Sequence, residues 1–371
     1  MVAQSVQSVE TGPTLAHRHN WLSTGAIAVL GTGTALPGPA LSTDALLNSL
    51  TPWLGARERD RAEAVAAKLG VATRHAARQW RSRIEPPAPG CSNPELAARA
   101  VRNAVADAGI GIGDIGYLIG HTATPVQPLP GNVAFVADQL GYAGPHIELR
   151  QACTGFANAL MIAFGLLAQP GARPVAIVGS ETGSAFLDPE ALASDPGQIV
   201  NLMQMGDGAG AIVLGGALGS GDRLHSAWFG SRGLGRTPGI ELKRDSGMQS
   251  PSGTGPLQFA HDFRAILETG RGLFDAGVAA AVEHGLAVAD VDAIIPHQVS
   301  GRIGEQLAEH LALPPERVFV NANRVGNTGS AAIWIALDEL RGSGVWPGHD
   351  TLVLGAEATK FMHGGFVLAT R

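Results

Sequence analysis

The sequence predicts an α/β fold in which one unit occurs twice, and segments that match at a nearly constant offset carry this prediction. Two apolar strands of the first half, one ending in a histidine and one ending in a glutamate, recur in the second half of the chain. A Thr-Gly sequence that is typical of a helix start recurs in the same way. The pairs are 114–121 with 290–297, 175–181 with 351–357, and Cys153-Thr-Gly with Asn327-Thr-Gly. Because the first half contains a cysteine and the second half contains a histidine and an asparagine, we expect one active site at the junction of the halves.

Short apolar runs alternate with helical periodicity along most of the chain, which is typical of sheets with helical crossovers. The helical pattern covers 44–83 and begins again at Ser92-Asn-Pro-Glu95, where a capping residue, a proline and a glutamate are typical of a helix start. The strands lack polar alternation, so we expect both of their faces to be covered. They are predicted at 26–31, 117–120, 175–179, 211–214, 294–296, 352–355 and 366–369.

The repeat divides the chain into three parts. Residues 1–25 are predicted to be a loose extension, 26–220 a first half that carries Cys153, and 221–371 a second half that carries His297 and Asn327. Segment 184–206 has no counterpart in the second half. It is interpreted either as a wall of a substrate tunnel or dimer contact, or as a structural excursion without chemistry.

Composition narrows the function classes without naming one. The chain has 371 residues, 45% of them hydrophobic, which is enough for a large core. A net charge of −6 argues against a nucleic-acid-binding surface. Cys91 and Cys153 are too few for a disulfide scaffold, and neither a signal peptide nor a membrane span is evident, so we expect a cytoplasmic protein. No metal or other cofactor is expected.

Cys153 lies at a transition from strand to helix. Unpaired backbone N–H groups and the positive end of the helix dipole at such a position lower the pKa of a thiol, which favours a nucleophilic thiolate. The alternative is a buried cysteine that behaves as a small apolar residue.

His297 and Asn327 are candidate partners of this cysteine. His297 ends a predicted strand, at the edge of the sheet where α/β active sites usually lie, and Asn327 precedes a predicted helix, where it could also be a simple N-cap. Cysteine, histidine and asparagine converge in some acyl-transfer enzymes. The glycines at 206–210 and 363–365 either supply oxyanion-hole N–H groups or only make turns.

Four motifs in the correct order resemble the β-ketoacyl-acyl-carrier-protein synthase III (KAS III) branch of the thiolase-like condensing enzymes. They are Ala-Cys-Thr-Gly-Phe around Cys153, Pro-His-Gln around His297, Gly-Asn-Thr around Asn327 and Gly-Asp-Gly-Ala-Gly at 206–210. The resemblance implies two βαβαβαββ halves in a five-layer αβαβα fold. It also implies a homodimer in which a loop carrying Leu129 crosses into the acyl tunnel of the partner.

The resemblance further implies ping-pong chemistry. Cys153 would accept an acyl group from a thioester, with the oxyanion held by backbone N–H groups of Cys153 and Gly364. A malonyl or β-ketoacyl thioester would then supply a carbanion, with His297 and Asn327 hydrogen-bonding the enolate oxygen. Arg302 matches a position that the family uses to dock the acyl carrier protein. We expect substrate contacts from Leu129, Phe156, Met203, Met205 and Ser300.

The chain departs from the family pattern in two places. Residues 182–188 contain no arginine for the phosphates of coenzyme A, which favours a carrier-protein-bound donor over acyl-CoA. Eight residues, Ala-Glu-Ala-Thr-Lys-Phe-Met-His, precede Gly364 where the family has a triple glycine. Both departures favour a specialised-metabolism branch that condenses, and in one hypothesis cyclises, β-ketoacyl thioesters. Glu181 could then act as an accessory acid or base, or it could only satisfy backbone groups, as its repetition at Glu357 suggests.

Other functions are weighed beside the condensing enzyme. An acyltransferase on the same fold would move the acyl group from Cys153 to a hydroxyl or amine, with His297 as the base, but it would have less need of Asn327. A degenerate partner subunit is disfavoured because all three candidate residues are present. A cysteine peptidase is disfavoured by the duplicated pattern.

Overall fold

The computed structural model of the chain describes residues 21–216, 221–243, 257–344 and 350–369. The strands within these ranges are β1 (Trp21–Ala35), β2 (Leu41–Ser42), β3 (Thr73–Arg74), β4 (Tyr117–His121), β5 (His146–Leu149), β6 (Val175–Glu181), β7 (Gly208–Gly216), β8 (Arg223–Ser231), β9 (Ile240–Lys243), β10 (Gln258–His261), β11 (Ala293–Pro296), β12 (Asp350–Glu357) and β13 (Met362–Ala369). The α-helices are α1 (Thr43–Ser49), α2 (Ala56–Leu69), α3 (Asn93–Asp107), α4 (Asn132–Leu140), α5 (Gly155–Leu167), α6 (Ala191–Ser194), α7 (Pro196–Gln204), α8 (Phe263–Glu283), α9 (Ile303–Leu311), α10 (Ala322–Val325) and α11 (Ala332–Gly342).

The main sheet displays the repeat directly. Among the described residues it has nine strands, in the order β11-β12-β13-β8-β1-β7-β6-β4-β5. Read outward from the antiparallel pair β1–β8, the first half runs β1-β7-β6-β4 and the second half runs β8-β13-β12-β11. The next position beyond β4 is β5, and an isolated parallel bridge from Ile294 to Val318 occupies the matching position beyond β11. The predicted duplication is therefore confirmed.

The helices form three layers around this sheet. Helices α5 and α11 share one buried cluster with strands of both halves, and they form the central layer. Helices α3 and α4 pack on the outer face of the first half, and α8 and α9 pack on the outer face of the second half. The two halves of the sheet lie on either side of the central helices and form the two β layers, so the predicted five-layer αβαβα arrangement is confirmed.

The predicted helix start at Ser92 is also confirmed, because the backbone N–H of Ser92 donates to Glu95 at 3.0 Å in a capping box. Two other boundaries differ. Strand β1 begins at Trp21, so the predicted extension to residue 25 is too long; residues 21–24 pair with β8. Residues 1–20 and the predicted boundary at 220 lie outside the described residues.

The segment without a counterpart in the second half caps the N-terminal helices. Its helices α6 and α7 share a buried cluster with α1 and α2, and the side chain of Met203 is completely buried in that cluster. This burial disfavours the predicted substrate contact of Met203, which stays a prediction. In the part of the chain that the structure describes, no helix is long and apolar enough to cross a membrane.

Close packing of α11 on β7 gives the first prediction. A Cβ at Gly210 would lie 2.6 Å from the Cβ of Trp334 and 2.8 Å from the backbone nitrogen of Ile335, whereas a Cβ at Gly216, on the same strand, would meet nothing within 4 Å. We expect Gly210→Ala to lower the free energy of unfolding by about 1–3 kcal/mol, because backbone atoms must move. Gly216→Ala is the matched control, measured in the same urea titration. Equal effects of the two substitutions would contradict this account.

Candidate active site

Cys153 lies in the turn that joins β5 to α5. Its residue is partly accessible, and the helix begins two residues later at Gly155. Glycine is required there because a Cβ at Gly155 would lie 2.6 Å from Nδ1 of His121. The predicted position at a helix start is confirmed.

The positive end of α5 is occupied by a carboxylate from the other half of the chain. Oε2 of Glu357, at the end of β12, accepts hydrogen bonds from the backbone N–H of Thr154 at 2.8 Å and from its hydroxyl at 2.7 Å. The other oxygen of Glu357 accepts from the hydroxyl of Thr359. Glu357 is 2% exposed, so this negative charge is held next to the cysteine with little screening by water.

This arrangement reverses the electrostatic prediction for Cys153. Burial raises the pKa of the thiol well above its usual value, and the carboxylates of Glu357 and Glu181 raise it further. The predicted lowering of the pKa is wrong, first because the thiol is buried and second because a carboxylate already occupies the end of the helix dipole that would have stabilised a thiolate. The free protein therefore holds Cys153 as a thiol at neutral pH.

His297 follows the last residue of β11 and is 1% exposed. Its backbone N–H donates to the carbonyl of Leu354 at 2.7 Å, which fixes it at the carboxyl edge of the sheet. Burial lowers the pKa of the imidazole to about 4, so the ring is neutral at physiological pH. Its Nδ1 is buried and has no hydrogen-bond partner among the described residues.

Asn327 is held in a loop by its own backbone. Its N–H donates to the carbonyl of Gln204 at 2.8 Å, and its carbonyl accepts from Gly206 at 3.1 Å. Its side-chain Oδ1 accepts from the N–H of Gly329 at 3.0 Å, but the N-cap of the helical turn that follows is Thr328, so Asn327 is not the simple N-cap that the sequence suggested. The Nδ2 group, which can only donate, is not consumed by this bond to Gly329.

Hydrogen bonds join the segments of these three residues. Gln204, which binds the Asn327 loop, donates from its side chain to the carbonyl of Val299 at 2.8 Å, two residues after His297. Ser330, three residues after Asn327, donates to the carbonyl of Gln151 at 3.3 Å, two residues before Cys153. The structure thus brings the three predicted segments together where the two halves meet.

Glu181 is the counterpart of Glu357 in the first half. Burial raises the pKa of its carboxyl, but four donors surround it: the backbone N–H groups of Ala123 and Ser330 and the hydroxyls of Thr124 and Ser330. Its lone pairs are therefore largely occupied, which favours the structural interpretation over an accessory acid or base.

The glycine motifs differ from the predicted oxyanion donors. Gly206 already donates its N–H to Asn327, and a Cβ there would lie 1.9 Å from the carbonyl oxygen of Val325, so this glycine permits a close backbone approach. Gly364 lies inside β13, paired with Gly355 on one side and Phe229 on the other. A Cβ at Gly364 would lie 2.6 Å from the Cβ of Ala157. Its position within the sheet disfavours an oxyanion role.

The hairpin turn at 358–361 is linked to Thr154, the residue after the cysteine, through Glu357, which accepts hydrogen bonds from both Thr359 and Thr154. This link was not predicted from the sequence because the hairpin turn has no glycine. A signal was available in the glutamate that ends both repeated strands.

The predicted substrate-binding residues lie in different environments. Phe156 is completely buried and packs edge-on against Trp334 and Phe366, which disfavours its predicted substrate contact. Met205 forms a parallel bridge with Asn327 and lines a small cleft together with Trp80 and Asp207. Ser300 is buried, and its hydroxyl accepts from the N–H of Arg302 at 3.3 Å.

Two predicted residues lie at the surface. Leu129 is 84% exposed in the loop between β4 and α4. The side chain of Arg302 is 51% exposed at the start of α9, and it lies 3.6 Å from Glu305. Their surroundings leave both free to meet a partner.

Asp207, inside the Gly-Asp-Gly-Ala-Gly motif, is a buried residue whose role the sequence analysis missed. Its carboxylate accepts from the backbone N–H groups of Ala77 at 2.7 Å and Ser184 at 3.1 Å and from the hydroxyl of Ser184, while burial raises the pKa of the carboxyl to about 6. It ties the segment before α3 to the capping helices. Within the described residues, no group of three or more His, Cys, Asp or Glu side chains could hold a metal ion.

Comparison with known proteins agrees with this geometry. Residues 147–233 match the model of 3-oxoacyl-[acyl-carrier-protein (ACP)] synthase III, and residues 282–369 match the model of its C-terminal part. The β-ketoacyl-[acyl-carrier-protein] synthase III of Rhizorhabdus wittichii is 32% identical over 352 residues, which cover 91% of this chain and 96% of that protein. The corresponding protein of Cereibacter sphaeroides is 31% identical, over 92% of this chain and 98% of its own.

Solved structures give the same result. A tetronic acid condensing enzyme superposes with a TM-score of 0.77 at 26% identity, covering 92% of this chain and 99% of its own. The 3-oxoacyl-(acyl carrier protein) synthase III of Pseudomonas aeruginosa superposes with a TM-score of 0.76 at 27% identity, covering 93% and 98%. Fold and site together define a thiolase-like condensing enzyme. More particularly, the chain belongs to the β-ketoacyl-acyl-carrier-protein synthase III family and is a condensing enzyme of that kind.

The carboxylate beside the thiol gives the second prediction. We expect Glu357→Gln to lower the pKa of Cys153 and to increase its alkylation by iodoacetamide at neutral pH, because the negative charge is removed while an oxygen still accepts from Thr154. A fall of one pKa unit would raise the rate about 10-fold. The pH dependence of alkylation, with adducts located by mass spectrometry, measures this pKa.

Glu181→Gln should act in the same direction with a smaller effect, since Glu181 contributes less to the raised pKa. Glu148→Gln is the control, because Glu148 pairs with Arg150 and the N–H of Val133 and does not contribute to the shift. An unchanged pKa in Glu357→Gln would refute the electrostatic account.

Proposed function

We propose that the chain forms carbon–carbon bonds by a ping-pong Claisen condensation through an acyl-Cys153 intermediate. The observation that carries the proposal is the meeting of the Cys153, His297 and Asn327 segments at the junction of the two halves, linked through Gln204 and Ser330.

The first half-reaction would transfer the acyl group. The sulfur of Cys153 attacks the thioester carbonyl, the donor thiol leaves, and the proton of Cys153 passes to that thiol. Because Cys153 is held as a thiol, this step needs a base, and the neutral imidazole of His297 has the required protonation state. The backbone N–H of Cys153, in the turn just before α5, is the proposed oxyanion donor.

The second half-reaction would form the new bond. A malonyl thioester loses carbon dioxide, its carbanion attacks the acyl carbonyl, and the Cys153 sulfur leaves as a thiolate that takes up one proton from solvent to restore the thiol. Neutral donors from His297 and from Nδ2 of Asn327 suit the enolate oxygen, because they need no reorganisation as charge develops. Asn327 with an unconsumed Nδ2 supports condensation over transfer to a hydroxyl or amine.

The donor is proposed to be carried by an acyl carrier protein. Residues 182–188 lack an arginine for coenzyme A, and the half-exposed Arg302 lies at the start of the helix that follows His297. Similarity to a tetronic acid condensing enzyme and to the priming β-ketosynthase of a polyketide pathway, at 26% identity each, supports a specialised-metabolism branch. Cyclisation of the product belongs to the same proposal, and the cytoplasmic location stays a prediction.

Intact-protein mass spectrometry tests the mechanism. We incubate the chain with acyl and β-ketoacyl thioesters, loaded on carrier protein or on coenzyme A, and then add malonyl or β-ketoacyl thioester. We expect an adduct that forms in the wild type and is consumed by the second thioester. Cys153→Ala should form none, and Asn327→Ala should form the adduct but consume it at least about 100-fold more slowly.

Arg302→Glu extends this experiment to the donor, since it should slow acylation only from the carrier protein. An adduct that forms in Cys153→Ala, or one that only a hydroxyl or amine acceptor discharges, would overturn the condensation mechanism. Faster acylation from coenzyme A than from the carrier would overturn the choice of donor.

A homodimer is proposed on two further observations. Strand β5 lies at the end of the sheet order, so one of its edges has no strand neighbour among the described residues. The loop after β4 presents two exposed apolar side chains, Leu129 at 84% and Val126 at 52%. Sedimentation equilibrium should give twice the mass of the chain, and Leu129→Glu should weaken the association. A wild-type monomer at micromolar concentration would contradict the proposal.

A further inference from the structure

His121 is a buried histidine for which the proposed mechanism has no use. It ends β4, is 1% exposed, and occupies in the first half the position that His297 occupies in the second. A buried histidine is often only a satisfied part of the core. The contacts of His121 indicate a more specific role beside the turn that carries Cys153.

Three elements enclose the imidazole. A Cβ at Gly155, at the start of α5, would lie 2.6 Å from Nδ1, and a Cβ at Gly179, on β6, would lie 2.8 Å from Nε2. From the central helix α11, Nε1 of Trp334 donates a hydrogen bond to Nε2 at 2.9 Å. The ring is thus wedged between the nucleophile helix of the first half and the helix that follows Asn327 in the second half.

The bond from Trp334 fixes the state of the ring. The indole N–H can only donate, so Nε2 must be the unprotonated nitrogen and the proton must be on Nδ1. Burial lowers the pKa of His121 to about 3, which keeps the ring neutral across the physiological range. His121 is therefore a fixed donor.

The Nδ1–H group of His121 lies at the turn that carries Cys153. Nδ1 makes no hydrogen bond of standard geometry, but it lies directly against Gly155 in this turn, where a Cβ would be 2.6 Å away, and the carbonyl of Ala152 favours a proton on the ring and so raises the pKa of His121 slightly against the effect of burial. This carbonyl also accepts the N–H of Gly155 at 3.0 Å, which closes the turn around Cys153. On the other side of Cys153, the N–H of Thr154 is held by Glu357 at 2.8 Å. The peptide groups on both sides of the cysteine are thus engaged.

We propose that His121 is a positioning residue that holds the 152–155 turn, so that the backbone N–H of Cys153 stays directed at the acyl oxygen. Trp334 orients the imidazole for this task. The inference rests on the proposed role of Cys153 as the nucleophile. It predicts that loss of His121 impairs attack on a thioester, which needs the oxyanion donor, and spares alkylation of the same sulfur, which does not.

The experiment compares His121→Leu, Trp334→Phe and the double variant in the full chain. His121→Leu leaves the buried indole N–H without an acceptor, so its unfolding midpoint should fall, whereas the double variant removes both partners and should recover most of the loss. Acylation of Cys153 should be slowed about 10-fold or more in both variants that lack His121. Alkylation by iodoacetamide should stay within about two-fold of the wild type in all three.

Two further readouts separate positioning from simple stability. His121→Gln, whose amide can accept from Trp334 and donate to Ala152, should restore part of the acylation rate. In the wild type, the ¹⁵N shifts of His121 should report the Nδ1–H tautomer, and Trp334→Phe should shift this equilibrium and slow acylation.

The results can overturn the inference in several ways. Recovery of acylation together with stability in the double variant, or a parallel loss of acylation and alkylation, would make His121 an ordinary core residue. If His121→Leu does not fold, the test is Trp334→Phe. Acylation of this variant at the wild-type rate would also make His121 an ordinary core residue. A wild-type chain that no thioester acylates would overturn both proposals, whereas a reactive wild type with equally reactive variants overturns only the positioning role.

Discussion

Two buried carboxylates, each reaching across the boundary between the halves, are the interaction on which the rest of the site depends. Glu357 of the second half binds Thr154 beside the cysteine, and Glu181 of the first half binds Ser330 beside the asparagine. A buried carboxylate without donors would be costly, so each helix-start loop is fixed by the need of the opposite glutamate for hydrogen bonds. Because the unit is repeated, each half supplies a glutamate to the helix-start loop of the other half.

The exchange has a chemical consequence. The carboxylate that fixes the nucleophile turn also raises the pKa of the thiol, because it places negative charge where a thiolate would form. Rigidity of the turn and a low thiol pKa are thus in conflict, and this chain favours rigidity. Attack by Cys153 then depends on a neutral base and on an oxyanion donor held in place, which gives His297 and the surroundings of the turn their importance.

Close packing in the central helix layer decides which side chains belong to the core. Helices α5 and α11 approach the sheet so closely that Gly210 and Gly355 have no room for a side chain. In the space that remains, Phe156, Trp334 and Phe366 form one aromatic cluster. Phe156 is therefore part of the core although it lies near the cysteine in sequence. The reason is that the packing of α5 decides which face of this helix is buried in the core.

By itself, the sequence determined the duplication, the strands that carry it, the family, and the loops that hold Cys153, His297 and Asn327, because periodicity and short motifs are local properties of the chain. The predictions for Gly364, Met203 and the thiol pKa depended on contacts between residues far apart in the chain. The packing of β13 encloses Gly364, the capping helices bury Met203, and Glu357 reaches Thr154 from 203 positions away. Only the tertiary structure decided these points, since burial and electrostatics depend on which distant groups share a space.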